Sequence, residues 1–292
     1  GQSWLTNGGN LYNQRFSTLK QITTANVGSL KGVWRARLNG SGVGVPFSGE
    51  AQPIVHDGVI YVITGADDVF AIDVITGEFL WVYESGLDPA ITTVCCGWTS
   101  RGVGFGEGKI FVGRLDGKLI ALDIETGQKL WSVQAERWQD GFTITSAPLY
   151  YDGKVITGFA GAEYGVRGRV KAFSAEDGAD LWTFYTIPAP GEPGSETWPQ
   201  DSDAWLRGGA TVWHTPALDP ELGLLYFSTA NPGPAFNGAP REGDNLFSVS
   251  MIALDVDTGA YRWHFQQVHH DIWDYDASTP VILFDAEVDG KP

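Results

Sequence analysis

A segment of eleven residues recurs four times along this chain and ends in tryptophan each time. The copies are AIDVITGEFLW, ALDIETGQKLW, AFSAEDGADLW and ALDVDTGAYRW, which end at Trp81, Trp131, Trp182 and Trp263. In each copy Ala leads, Gly comes six positions later and Trp ten positions later. A strand that ends near Ala-x-Asp, a turn at Thr-Gly or Asp-Gly, and a second strand that delivers Trp together form a β-hairpin. The repeat therefore predicts four hairpins of the same design.

A further pair of short strands precedes each hairpin. These pairs are predicted at 53–61, around 108–111, at 148–156 and at 216–226. Each repeat is then an antiparallel sheet of about four strands, and sheets of this size arranged radially form a β-propeller. A stacked solenoid is the alternative, but solenoid repeats are normally much shorter. The predicted fold class is all-β, a β-propeller of four-stranded antiparallel blades.

The spacing of the repeats predicts one large insertion and an incomplete ring. The Trp residues are 50, 51 and 81 positions apart, and the long interval contains segment 188–203, rich in Pro, Gly and acid, which is predicted to be a surface loop. Four repeats are few for a wide ring, and Asp-Gly near position 290 resembles the middle of a hairpin. We therefore expect residues 1–292 to be a single partial propeller domain of a longer polypeptide.

Charge and cysteine content exclude several classes of function. The formal net charge is −16, which argues against a nucleic-acid partner, because such binding needs clustered Lys and Arg, although a basic protein would be attracted. No apolar stretch approaches the ~20 residues of a membrane-spanning helix, and no signal-peptide pattern starts at Gly1, so we expect any signal peptide to have been removed already. The only cysteines, Cys95 and Cys96, cannot form an all-cysteine zinc site or a C-x-x-C-H haem attachment.

The adjacent cysteines have two interpretations. They are either two reduced thiols or a strained disulfide, since neighbouring Cα atoms lie only ~3.8 Å apart, below the usual range for a disulfide. Strain of that kind is tolerated where it serves a functional site.

Acidic and amide side chains elsewhere suggest an oxygen-ligated cation. In VHHDIWDYD (268–276), Asp274 and Asp276 are two apart and share a face of an extended segment, where a cation would offset their repulsion. Glu163, in a Gly-rich segment, and Asn231, before Pro232, could supply further oxygens. A surface carboxylate and a turn residue are the ordinary interpretations of those two. His269 and His270 are interpreted as packing or orienting residues rather than zinc ligands.

Taken in order, these segments resemble the periplasmic quinoprotein alcohol dehydrogenases, the pyrroloquinoline quinone (PQQ) enzymes of the methanol and ethanol dehydrogenase group. The resemblance runs from GGNLYNQRFSTLKQITTANVGSLK (8–31) to the end of the chain. It implies an eight-bladed propeller with PQQ near its axis, and roughly as many residues again beyond this chain. It also implies an enzyme that oxidises alcohols to aldehydes and passes electrons to a cytochrome c.

The resemblance assigns roles to individual residues. Cys95–Cys96 would be a vicinal disulfide against one face of the quinone, and Trp213 the indole on the other. Polar groups that hold PQQ would be Glu50, Arg101 and Thr145, and the Gly161-Ala162-Glu163 segment would contact PQQ through Ala162. The implied metal ligands are Glu163, Asn231, Asp274 and Asp276, with Asp274 also the general base. Thr99-Ser100 departs from the Val-Asn that many members show.

Asp276 bears on the identity of the metal. The resemblance implies that an Asp two residues after the catalytic Asp marks the lanthanide-dependent branch, since a trivalent ion is better balanced by one more carboxylate. A lanthanide is therefore expected, with Ca²⁺ as the alternative. Two other readings of the whole chain remain open: a non-catalytic periplasmic propeller scaffold, and an inactive fragment of the dehydrogenase. The identity of the alcohol and the presence of a haem domain are not predicted.

Overall fold

The computed structural model describes residues 3–39, 47, 49–277 and 280–287. Within these ranges the strands form four antiparallel sheets, each of four strands that are neighbours in chain order. The first sheet contains β1 (Ile54–His56), β2 (Val59–Ile63), β3 (Val69–Asp73) and β4 (Phe79–Tyr83). The second contains β5 (Gly104–Gly106), β6 (Lys109–Gly113), β7 (Lys118–Asp123) and β8 (Lys129–Gln134).

The other two sheets repeat the same order. The third contains β9 (Leu149–Tyr151), β10 (Lys154–Gly158), β11 (Arg169–Ser174) and β12 (Asp180–Tyr185). The fourth contains β13 (Ala217–Asp219), β14 (Leu224–Ser228), β15 (Ser250–Asp255) and β16 (Tyr261–Gln266). Short 3-10 helices lie in the connections, at Val27–Ser29, Trp138–Asp140, Ala162–Tyr164, Ser195–Thr197, Ala204–Arg207 and Ala239–Arg241. The four sheets are the blades of a β-propeller, which confirms the predicted fold class.

The Thr-Gly turn of each hairpin explains why the repeat keeps its spacing. In the first blade the Asp73 carboxylate accepts hydrogen bonds from the backbone N–H groups of Ile75 and Thr76, at 2.9 and 2.7 Å. Gly77 then adopts φ +74°, a left-handed conformation that an L side chain rarely takes. Gly is therefore needed in every copy of the turn, and an oxygen from Asp, or from Ser174 in the third copy, accepts the backbone N–H groups.

Three of the four repeat tryptophans reach from their own blade to the turn of the next one. The indole N–H groups of Trp81, Trp131 and Trp182 donate to main-chain carbonyls of the following blade, at 2.9, 3.2 and 3.1 Å. The turn glycine of that blade lies against the indole, so closely that a Cβ there would meet the ring. These Trp–Gly contacts pair Trp81 with Gly127, Trp131 with Gly178 and Trp182 with Gly259.

One further tryptophan precedes this series, and the last repeat tryptophan ends it. Trp34, which the eleven-residue repeat does not include, lies against Gly77 and donates its indole N–H to the carbonyl of Val74 at 3.0 Å. The last repeat tryptophan, Trp263, is 40% exposed. Trp34 therefore occupies, on the first blade, the place that the preceding blade's tryptophan takes on the others.

The hydrophobic core lies between blades rather than within one of them. Ile63 and Val112 belong to a cluster shared by the first two blades, and Phe111 and Val155 to one shared by the second and third. The third and fourth blades share a cluster that includes Val170 and Phe227. Burial of aliphatic side chains on facing sheets therefore sets the spacing between blades.

The large insertion is only partly a surface loop. Within segment 188–203, Trp198 is buried and packs with Ile187 and Ala210, while Glu192 and Gln200 are exposed. The predicted surface loop is therefore wrong for its central part, because an indole offers too much apolar area to remain in water when a neighbouring blade can cover it. No helix in the described ranges is long and apolar enough to cross a membrane.

Candidate functional site

A cavity of about 300 Å³ is lined by connections that lie between strands or between blades. None of its wall residues belongs to a regular strand. The wall contains Glu50, Thr93, Val94, Cys95, Cys96, Thr99, Arg101, Thr143, Thr145, Ala160, Gly161, Glu163, Tyr164, Thr211, Trp213, Asp274 and Asp276. The blades therefore act as a frame that brings loops from distant parts of the chain to one point.

The structure brings together all of the sequence-predicted site residues except two. Ala162 and Asn231 lie instead in the wall of an adjoining cavity of about 480 Å³. Glu163 belongs to both walls, and the backbone N–H of Asn231 donates to Asp276 Oδ1 at 2.7 Å. Ala162 and Asn231 are therefore immediate neighbours of the site, although they do not line its main cavity.

Arg101 is the cation of the cavity and has partners on three sides. Its guanidinium makes an ion pair of 2.8 Å with Glu50 and donates to Thr145 Oγ1 at 2.9 Å and to the Trp213 carbonyl at 3.2 Å. The guanidinium carbon also lies 4.5 Å from the centre of the Trp213 ring. Burial lowers the pKa of Arg101, and the Glu50 carboxylate opposes that effect. The cavity therefore presents a fixed positive fork next to an aromatic face.

Cys95 and Cys96 are free thiols in this structure, so the vicinal disulfide implied by the family resemblance is not formed. Their Sγ atoms are 2.6 Å apart, longer than the ~2.05 Å of a disulfide bond. A bridge would need the two sulfurs to come closer and the peptide that joins the adjacent cysteines to distort. Burial, the Cys96 thiol and the Glu163 carboxylate raise the pKa of Cys95 to about 12, which keeps this sulfur protonated and uncharged.

Three further carboxylates, those of Glu163, Asp274 and Asp276, line the same cavity. Burial, together with the charges of Asp274 and Glu163, raises the pKa of Asp276 to about 6, although the hydrogen bond from the Asn231 backbone acts in the opposite direction. In the described part of the chain, His, Cys, Asp and Glu side chains form no cluster of three or more that could hold a metal ion by themselves. Other oxygens, such as the Asn231 amide or a ligand, would have to complete a cation site.

The segment that carries Asp274 and Asp276 is not a regular strand. Both residues have positive φ, +65° and +48°, and both line the cavity. Trp273 and Tyr275 are exposed instead, with ring centres 5.8 Å apart. Positive φ at residues other than Gly is costly and marks segments that the surrounding structure holds in place.

The two histidines of VHHDIWDYD contact a neighbouring loop. His270 Nδ1 lies 2.7 Å from the Gly243 carbonyl oxygen, and His269 Nδ1 lies 3.6 Å from an Asp244 carboxylate oxygen. Neither is in the wall of the cavity. Their contacts fit the packing role expected from the sequence.

Threonines in the cavity wall were missed by the sequence analysis. The hydroxyls of Thr99 and Thr143 are buried and have no hydrogen-bond partner among the described residues. Thr143 is two residues before Thr145, and Thr211 two residues before Trp213, so the alternation of side chains along an extended segment was a usable signal. Buried hydroxyls are normally satisfied, so these two are exceptions among the residues that border the cavity.

Comparison with known proteins gives consistent matches along the chain. A family model described as PQQ, glucose/ethanol/alcohol dehydrogenase, beta-propeller domain, matches residues 4–292. A quinohemoprotein alcohol dehydrogenase of Pseudomonas putida is 42% identical, over 100% of this chain and 43% of that protein.

Solved structures agree with this match. The quinohemoprotein alcohol dehydrogenase of Comamonas testosteroni superimposes with a TM-score of 0.92 at 39% identity, over 100% of this chain and 45% of that one. A europium-containing methanol dehydrogenase superimposes with a TM-score of 0.90 at 35% identity, over 99% of this chain and 53% of that one. The chain therefore spans roughly half, or somewhat less, of the length of these proteins.

Proposed function

The chain belongs to the PQQ-dependent glucose, ethanol and alcohol dehydrogenase β-propeller family, and on that basis we propose that the whole protein oxidises alcohols to aldehydes. The observation that carries the proposal is the single cavity that gathers an arginine, two thiols, an indole and four carboxylates from connections along most of the chain. A non-catalytic scaffold has no need of that convergence.

The cavity residues fit the binding of PQQ, a flat tri-acid with an ortho-quinone. Arg101 and Thr145 would bind its carboxylates and carbonyls, with Glu50 orienting the guanidinium. Trp213 and the Cys95–Cys96 sulfurs would lie on its two faces, and the Gly161–Ala162 backbone at its edge. The Arg101 guanidinium beside the Trp213 ring supports this fit, because a flat tri-acid needs a cation at its rim and an aromatic surface on its face. When bound, PQQ supplies the acceptor for the two electrons removed from the alcohol.

The carboxylates fit a hard cation. Glu163, Asp274, Asp276 and the Asn231 amide are oxygen donors of the kind that such ions prefer. Burial and the neighbouring acids both raise the pKa of Asp276, and a bound cation would offset both effects. We propose a lanthanide, with Ca²⁺ as the alternative, on the ground that Asp276 adds a carboxylate suited to a trivalent charge. When bound, the ion supplies Lewis acidity.

Asp274 would act as general base. Its carboxylate faces the cavity and would take the proton of the alcohol's hydroxyl group as the carbinol carbon loses hydride. A cytochrome c as electron acceptor and a periplasmic location are further parts of the proposal. The net charge of −16 supports attraction of a basic partner.

Reconstitution of the full-length protein tests the proposal. The protein is incubated with PQQ and either Ca²⁺ or a lanthanide, and alcohol-dependent dye reduction is followed together with the absorbance of bound quinone. We expect both signals in the parent, and in Asp274→Asn a loss of kcat of at least about a hundredfold with quinone still bound. A parent protein that binds no quinone and reduces no dye with either metal would favour the scaffold.

A further inference from the structure

Asp271 lies three residues before Asp274 and has its carboxylate directed at its own chain. It is fully buried, and its oxygens accept hydrogen bonds from the backbone N–H groups of Trp273, at 2.9 Å, and Tyr275, at 3.0 Å. These are the residues on either side of Asp274. One carboxylate therefore fixes the turn in which Asp274 takes its positive φ.

Arg241 holds the main chain of Asp271 from the other side. Its guanidinium is fully buried and donates to the Asp271 carbonyl, to the Pro234 carbonyl at 3.0 Å and to the Ala235 carbonyl at 3.2 Å. It also donates to Asn245 Oδ1 at 2.7 Å. A buried guanidinium with carbonyl partners on two segments fixes their separation, because its donor directions are rigid.

The two segments that Arg241 joins are those that carry the proposed metal ligands. Pro234 and Ala235 follow Asn231 in the same turn, and Asp271 precedes Asp274 and Asp276. The segments meet a second time where Asp276 accepts the Asn231 N–H. Asp271 is in the wall of neither cavity, so it touches nothing that either cavity would bind.

We propose that Asp271 is a positioning residue that, together with Arg241, holds Asp274 and Asp276 at the cation site. The inference rests on the proposed function, since it concerns the affinity of that site. Charged acceptors bind backbone N–H groups more strongly than neutral ones do, and loss of an outer partner of a metal ligand typically weakens metal binding about 10- to 100-fold. If the role of Asp271 were purely structural, its substitution would lower stability and leave metal affinity unchanged.

Two substitutions in the full-length protein give a graded test. Asp271→Asn keeps one acceptor oxygen, whereas Asp271→Ala keeps none. Terbium luminescence gives the dissociation constant for a lanthanide, calorimetry gives that for Ca²⁺, and amide hydrogen exchange of residues 272–277 in the metal-free protein reports the turn itself. We expect faster exchange at Trp273 and Tyr275 in both variants. Terbium affinity falls about tenfold in Asp271→Asn and approaches a hundredfold loss in Asp271→Ala.

Asp67 offers a matched control. It is also fully buried and accepts a backbone N–H, that of Leu115 at 2.7 Å, but it lies in the first blade and in neither cavity wall. Asp67→Asn should leave terbium affinity as in the parent. An equal loss of affinity in the Asp67 variant would show a global effect and overturn the inference.

The remaining outcomes separate the two proposals. Parent-like terbium affinity in both Asp271 variants, with faster exchange, overturns the positioning role and leaves the proposed function standing. A parent that binds neither terbium nor Ca²⁺ overturns both. If neither Asp271 variant folds, Arg241→Lys carries the same expectation, because one ammonium cannot reach both segments. Parent-like affinity in that variant overturns the inference.

Discussion

The backbone N–H of Asn231 donates a hydrogen bond of 2.7 Å to Asp276, which joins the turn after β14 to the segment after β16. Asp276 thus anchors one loop to another and also places a negative charge beside Asp274 and Glu163. Substitution can separate the two contributions.

Asp276→Asn keeps an acceptor oxygen for Asn231 and removes the charge, whereas Asp276→Ala removes both. We expect either variant to lose lanthanide-dependent alcohol oxidation, with trivalent-ion affinity at least about tenfold weaker, or ~1.4 kcal/mol. Activity with Ca²⁺ should persist in Asp276→Ala and be better kept in Asp276→Asn. Metal titration and dye-linked assays of the full-length protein measure this. Full activity of the parent with Ca²⁺ alone would contradict the lanthanide assignment.

Thr143→Val tests whether the orphan hydroxyl faces a ligand. Valine has nearly the shape of threonine, and removal of a buried hydroxyl without a partner should stabilise the cofactor-free protein by about 1 kcal/mol. PQQ affinity should fall about tenfold, because the bound ligand would lose a hydrogen bond. Thermal unfolding and quinone titration give the two values.

Thr157→Val is the control for Thr143→Val. Thr157 is equally buried, but its hydroxyl is bonded to Ser146 and to the Gly158 carbonyl. This variant should lose about 1 kcal/mol of stability and keep the PQQ affinity of the parent. A stabilised Thr157→Val together with a destabilised Thr143→Val would reverse the expected signs and refute the assignment.

The blades could be predicted from the sequence because their signal is local and repeated. Ala, Gly and Trp recur at fixed offsets, and each offset corresponds to a strand end, a left-handed turn residue or an indole between blades. Trp34 escaped because no Ala-x-Asp or Thr-Gly precedes it. The sequence predicted a surface loop at Trp198 because the Pro, Gly and acidic residues around it are typical of exposed segments.

The site was predictable only in part. Asp274, Glu163 and Arg101 carry recognisable residue patterns, and the structure places them in one cavity. The contacts that hold the Asp274 segment join positions far apart in the chain, such as Arg241 and Asp271. No local periodicity in the sequence predicts such a contact. The state of the two cysteines depends on peptide geometry, which residue type alone does not determine.

Gly127→Ala tests the Trp–Gly contact. A Cβ at Gly127 would lie 2.5 Å from the Trp81 ring, and Gly127 has φ +68°. Gly108 has the same φ, in the same blade, with nothing within 4 Å of an added Cβ, so Gly108→Ala reports the backbone strain alone. We expect Gly108→Ala to cost about 1 kcal/mol and Gly127→Ala about 1–3 kcal/mol more in the free energy of unfolding, measured in urea. Equal losses of unfolding free energy in the two variants would mean that the Trp81 ring moves away from the added Cβ without cost.

Stability should fall in acid through His214. Burial, reinforced by the nearby Arg101 charge, lowers the pKa of His214 from 6.5 to about 4. Between these values the unfolded chain binds a proton that the folded protein does not, so stability rises with pH over this window and is fully present above pH 6.5. The loss by pH 4 is about 3 kcal/mol.

His214→Gln should flatten that dependence in urea unfolding measured from pH 4 to 7. His269→Gln is the matched control, because that ring is exposed and lies outside the cavity wall. The same acid sensitivity in parent and His214→Gln would assign it to other groups.

The Trp–Gly contacts also affect how precisely the residues of the cavity wall are placed. The wall of the cavity is formed by loops attached to successive blades. The distance between two wall residues such as Arg101 and Asp274 therefore depends on the spacing of every blade between them. A positional error at each of these steps would add to the others and displace one wall of the cavity from the other. A stiff indole seated against a bare glycine, with its N–H bonded to a fixed carbonyl, makes each step reproducible. The tryptophan repeat is thus a set of spacers, and the dimension that it controls is the width of the site.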